Sequence, residues 1–195
     1  MLPLRNNASQ WGWVSVTLHW LTVLAMIGLA IVGLQMDDLP TGLAKVKVYA
    51  LHKSVGLTVL ALTLLRLAWR LFAGAPALAP MPRWQRFAAH GSHVALYALL
   101  LAMPLSGWLL HSASSSAGYA LRWFGLFKVP ALVGYDPALK ALAHDVHEAL
   151  FRLILLVVAI HVAAALKHHF VNRDPTLRRM LPLLRDPAPK GPEPS

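Results

Sequence analysis

The sequence predicts an all-α fold, a transmembrane four-helix bundle with both termini in the cytoplasm. Three observations carry this. Of 195 residues, 57% are hydrophobic and only 13% are charged, about half the charged share of an ordinary globular domain. The apolar residues gather into four runs, each long enough to cross roughly 30 Å of hydrocarbon. Most of the 18 lysines and arginines flank those runs, as basic residues do around membrane spans.

The first run extends from about Val14 to Leu34, and His19 is its only ionisable residue. Arg5 is the only basic residue ahead of it, and the run exceeds a typical signal-peptide core, so it is read as a retained span. The second runs from about Val48 to Leu71, with His52 near its start and Arg66 and Arg70 near its end. The third covers about His93 to Leu110 and contains Pro104, which removes one backbone hydrogen bond and should bend the helix. The fourth covers about Leu142 to Leu166. No repeat of fixed period is visible.

The connections differ in character. Residues 35–47 carry Asp37, Asp38 and Pro40, and residues 73–92 are rich in alanine and proline. Residues 111–141 are the longest connection, and a short surface helix is expected around Tyr119–Phe127. Residues 1–181 read as one domain. The proline-rich residues 182–195 read as a disordered tail.

Orientation follows from basic residues. Arg5, Arg66, Arg70, Arg83, Arg86, Lys167, Arg173, Arg178, Arg179, Arg185 and Lys190 share one side. Lys45, Lys47, Lys53, Arg122, Lys128 and Lys140 share the other, and Arg152 lies within the fourth run. The larger group goes inside, with both termini. The net charge of +10 is thereby a topological signal. A nucleic-acid partner is not expected, since basic residues there would cluster on a soluble face with aromatic stacking partners.

The chain has no cysteine, which excludes disulfides, thiolate iron–sulfur ligation and covalent c-type haem attachment. Histidine is the residue that stands out. A histidine inside a membrane span is costly and needs a partner. His147 and His161 are fourteen positions apart in the fourth run, almost four helical turns. They therefore leave one face, about 21 Å apart in rise. In the predicted orientation His52 shares the outer depth with His147, and His19 shares the inner depth with His161. Each pair could supply both axial ligands of a haem iron, and electron transfer is the leading function.

Other readings stay open. A single apolar-face histidine is more often a core ring satisfied by a hydrogen bond. Zinc or non-haem iron would want three or four close ligands, often with a carboxylate. Glu148 adjoins His147 but points about 100° away around the helix. A proton relay would want acidic residues deep in the bundle, and the first three runs offer none.

Remaining polar residues have two readings each. Lys53, Arg66, Arg70 and Arg152 are candidate haem-propionate contacts. Topology alone explains all but Arg152, which should pair with a propionate or Glu148, or reach to the interface. His168 lies two turns beyond His161 and is a candidate quinone contact; an interfacial anchor is the plain alternative. His93, with His90 one turn earlier, could assist a propionate or quinone, or serve as a cap. His144 either contacts the outer haem edge or faces solvent. His111 carries no distinctive signal. No catalytic residue is singled out.

These motifs together resemble the bacterial di-haem cytochrome b561 family over about residues 13 to 181. The carrying residues are Thr17-Leu-His-Trp-Leu21, Leu51-His-Lys-Ser-Val-Gly56, Ala89-His-Gly-Ser-His-Val-Ala-Leu-Tyr97 and Ala102-Met-Pro-Leu-Ser-Gly107. They continue with His147-Glu148, Ile160-His-Val-Ala-Ala-Ala-Leu-Lys-His-His-Phe170 and Asp174-Pro-Thr-Leu-Arg-Arg-Met180. Each fragment is weak, and their order and spacing are specific. The resemblance implies a multi-pass protein of the bacterial inner membrane with two haem b groups on His19, His52, His147 and His161. It also implies electron exchange with ubiquinone.

Some members of that family resemble superoxide oxidases, so superoxide is a candidate one-electron donor, favoured by lysines near the outer haem. The expected partners are membrane lipid, quinone, superoxide and a soluble redox protein. The rival reading is a cytochrome b anchor subunit serving a separate dehydrogenase or hydrogenase. A third is a non-redox membrane protein with structural histidines.

Overall fold

The computed structural model describes residues 3–77, 80–114 and 120–181. The expected disordered tail lies outside these residues. Four helices form: α1 Trp13–Gln35, α2 Leu43–Ala73, α3 Arg83–Ala113 and α4 Pro137–Phe170. Each is long and apolar enough to cross a membrane.

The helices outrun the apolar stretches that announce them. α3 begins at Arg83 rather than His93, and α4 at Pro137 rather than Leu142. The start of α4 has a local cause. The Asp136 carboxylate accepts from the Leu139 backbone N–H at 3.0 Å, and Pro137 occupies the first turn, where its missing N–H costs nothing. α3 runs through Pro104 without interruption.

Packing is inverted relative to a soluble bundle. Among the described residues the largest fully buried side chains are Thr22, Thr63, Ser54 and Ser112, whereas Leu24, Ile27, Ile31, Leu64, Leu65, Leu156 and Ile160 are exposed. Small residues at helix contacts let backbones approach closely, and the large apolar ones face lipid. Each buried hydroxyl is satisfied within its own helix. Thr22 donates to the Leu18 carbonyl and Thr63 to the Val59 carbonyl, both at 2.7 Å.

α1 packs on α2, α2 on α3 and α3 on α4, and neither α1 nor α2 approaches the α4 backbone comparably. The α4 backbone therefore stands farther from the first two helices than from α3. Cofactor sites of helical bundles are built in such interiors from facing side chains.

The two ends of the bundle differ. At one end the α3–α4 connection forms a hairpin of β1 Arg122–Trp123 and β2 Phe127–Lys128. This replaces the surface helix expected over Tyr119–Phe127; Tyr119 itself lies outside the described residues. Phe124 and Gly125 both take positive φ, 46° and 77°, and the Leu126 N–H donates to the Trp123 carbonyl at 2.9 Å. That backbone belongs to a hairpin turn and not to a helix. The hairpin docks on α2. The Phe124 N–H donates to Ser54 Oγ at 3.0 Å, and Trp123 Nε1–H donates to Thr58 Oγ1 at 3.1 Å.

The other end is closed by the terminal segments. Asn6 donates to the Gly74 carbonyl at 2.8 Å and accepts from the Gly12 N–H at 2.9 Å. Trp20 Nε1–H donates to the Met180 carbonyl at 2.8 Å, and Arg179 donates to the Ala77 carbonyl at 2.7 Å. The first helix, the α2–α3 connection and the C-terminal turn are thus tied together.

Candidate functional site

Two histidine clusters lie inside the bundle, one towards each end, and α4 contributes a ring to both. At the hairpin end, His52 of α2 faces His147 of α4 with ring centroids 6.4 Å apart and planes at 71°. That separation is at the wide end for an aromatic pair. Glycines line the rings. A Cβ on Gly107 would stand 3.1 Å from His147 Cε1, and one on Gly33 would stand 3.4 Å from His52 Cε1. His52 Nδ1 is buried with no hydrogen-bond partner among the described residues.

His147 is better anchored. Its Nδ1 lies 2.9 Å from Ser106 Oγ, and Ser106 Oγ lies 2.7 Å from the Met103 carbonyl oxygen. The carbonyl can only accept, so the single hydroxyl proton goes to Met103 and the Ser106 oxygen accepts from His147 Nδ1–H. The Nε2 lone pair is left available, the form a metal ligand requires.

At the terminal end, the ring nearest His161 is that of His93 on α3, with centroids 5.6 Å apart and planes at 69°. His19, the partner expected from depth, lies within electrostatic range of both rings. Arg66 donates to His19 Nδ1 at 3.2 Å and lies over the Tyr97 ring at 5.5 Å. The cluster therefore has three histidines and a half-buried guanidinium, with no carboxylate contact to Arg66 among the described residues.

The other candidates fall as follows. Lys53 Nζ donates to His111 Nδ1 at 3.1 Å, a contact no sequence signal announces. Arg70 lies over the Trp11 ring at 6.0 Å. Arg152 pairs with Glu148 one turn earlier on the exposed face of α4, which resolves its position without any cofactor. His144 is exposed beside Asp145.

His168 Nδ1 lies 2.5 Å from Asp174 Oδ2 and 3.2 Å from Asn172 Nδ2. Burial of Asp174 works against its charge, but hydrogen bonds from Thr176 and His168 prevail and hold the carboxyl below its ordinary value. A carboxyl depressed in the folded state stabilises the fold above its unfolded pKa of about 3.9, and that stability fades as pH falls through the folded value. Asp174→Asn is expected to flatten this acid limb. Thermal unfolding in detergent between about pH 2 and pH 6 checks it, and an unchanged limb would remove Asp174 from the account.

The model of the prokaryotic cytochrome b561 family matches residues 10–183. The chain belongs to that family. Cytochrome b561 homolog 2 of Escherichia coli K12 is 34% identical over 185 residues, covering 92% of this chain and 95% of that protein. Cytochrome b561 homolog 1 of the same organism is 31% identical, covering 86% and 94%. A protein of Yersinia pestis named probable superoxide oxidase CybB is 29% identical, covering 88% and 96%.

Family membership makes this a multi-pass bacterial membrane electron-transfer protein and implies haem b. The residues present fit such a group. His147 is held in the ligating tautomer, and glycines clear both rings. α4 stands off from α1 and α2, which carry His19 and His52.

Proposed function

We propose that this cytochrome b561 carries two haem b groups and passes electrons between a one-electron donor outside the inner membrane and ubiquinone inside it. His52 and His147 would hold one haem, and His19 and His161 the other. The observation that carries the reading is α4, which places one half-buried histidine in each of two clusters at different depths. Bound haem supplies a one-electron store at each depth.

The chain's own residues do the rest. Basic residues put the termini in the cytoplasm, so the hairpin end faces out. Lys53, held by His111, and Lys128 of the hairpin give that end a positive field that steers a small anion inward. Superoxide is such an anion, and oxidising it releases one electron and dioxygen. At the inner end Arg66 has a fixed positive charge suited to a propionate. Quinone reduction takes two electrons and two protons, and the His168–Asp174 pair offers hydrogen bonds at that depth. This pair and the terminal-end histidines lie towards the same end of α4.

The test is a pyridine haemochrome assay on purified protein, then superoxide-driven ubiquinone reduction on the same sample. Two haems per chain with fast reduction are expected. Two haems without it would point to an anchor subunit serving a separate dehydrogenase or hydrogenase. No haem would overturn the reading.

A further inference from the structure

We propose that Ser106 fixes the tautomer and the electron-donating strength of His147, and so sets the potential of the hairpin-end haem apart from the other. The inference rests on the bis-histidine reading above. Ser106 and Gly107 sit side by side on α3 and form one seat for a ring arriving from α4. Gly107 leaves the space, since a Cβ there would crowd His147 Cε1 at 3.1 Å. Ser106 supplies the polarity. Its proton is committed to the Met103 carbonyl at 2.7 Å, and its oxygen receives His147 Nδ1–H at 2.9 Å.

An imidazole whose N–H is accepted by an oxygen is a stronger donor through its other nitrogen. Partners of this kind orient ligating histidines and raise their basicity. A stronger donor favours the oxidised iron and lowers the potential. Ser106 is itself buried, and among the described residues its hydroxyl contacts only Met103 and His147. The facing ring lacks such help, because His52 Nδ1 is buried without a partner among the described residues. The two rings that would hold this haem are therefore unequal, and Ser106, seated beside the Met103 carbonyl, contributes to the difference.

The test compares wild type with Ser106→Ala, Ser106→Thr and Ser106→Val by haem count, potentiometry and low-spin EPR. In Ser106→Ala, both haems should remain. One midpoint should rise by about a tenfold change in the oxidised-to-reduced ratio, near 59 mV for a one-electron couple, while the other stays. Thr should follow wild type, and Val, of the same shape without the hydroxyl, should follow Ala.

Unchanged midpoints in Ser106→Ala, equal shifts of both haems, or Thr and Val behaving alike would each overturn the role of Ser106. Loss of the hairpin-end haem in Ala and Val but not Thr would support it. Wild type with no haem would overturn the bis-histidine reading instead, and the two failures are distinguishable.

Discussion

His161→Ala is expected to remove the haem at the terminal end and leave the one at the hairpin end. Haem per chain should halve by pyridine haemochrome, with one set of low-spin EPR signals lost. The two clusters lie about 21 Å apart along α4, so removing one ring leaves the other seat intact. His161 has two neighbours, which makes a second arm informative. His93 is the closer ring, at 5.6 Å, whereas His19 lies within electrostatic range. His19→Ala should reproduce the loss, and His93→Ala should retain both haems. Equal loss of both haems in a folded His161→Ala protein would sink the pairing. Retention in His19→Ala with loss in His93→Ala would transfer the ligand role to His93.

The second large effect is expected at Arg66. Its guanidinium donates to His19 Nδ1 at 3.2 Å. An arginine can only donate, so Nδ1 accepts and the His19 proton sits on Nε2. Ligation through Nε2 needs that proton moved and Arg66 turned elsewhere. A haem propionate offers the guanidinium a two-pronged partner in exchange for one imidazole contact.

The exchange nets at least one hydrogen bond to a charged group, about 1.5–3 kcal/mol. Arg66→Leu loses that gain, although it also frees His19. Affinity for the terminal-end haem should therefore fall roughly 10–100-fold. The midpoint of any haem retained there should drop, because a nearby positive charge favours the reduced state. Haem transfer to apomyoglobin and potentiometry check the two parts. Unchanged retention and midpoint together would show that Arg66 serves topology alone.

The bundle was legible because lipid imposes a long apolar run on every span, and all four runs became helices. Helix ends were not legible where polar turns project past the hydrocarbon. Over Arg83–Ser92 the apolar residues are interrupted by Gln85, Arg86 and His90, and α4 starts where Asp136 caps it. The hairpin was missed because its strands are two residues each, too short for alternation to register. The Phe124-Gly125 turn was its only trace.

Among the histidines, depth alone brought His52 to His147. Depth could not rank His19 against His93, since both reach the same level from different helices. Nor could it find Ser106 or His111, whose roles depend on which way a ring is turned. Of the roles the sequence left open for Arg152, pairing with Glu148 one turn away is the one found, on the exposed face of α4.

That α4 supplies a histidine to each cluster has a consequence for how the protein is made. Synthesis runs from the N-terminus, so α1, α2 and α3 reach the membrane before His147 and His161 exist. A nascent chain of three helices holds His19, His52 and His93 with no ring from α4 opposite them. On the proposed ligation, neither seat can close before α4 arrives. The last helix completes both seats, and the Trp20–Met180 tie can form only after it. On the proposed ligand set, cofactor capture is thereby confined to the finished chain.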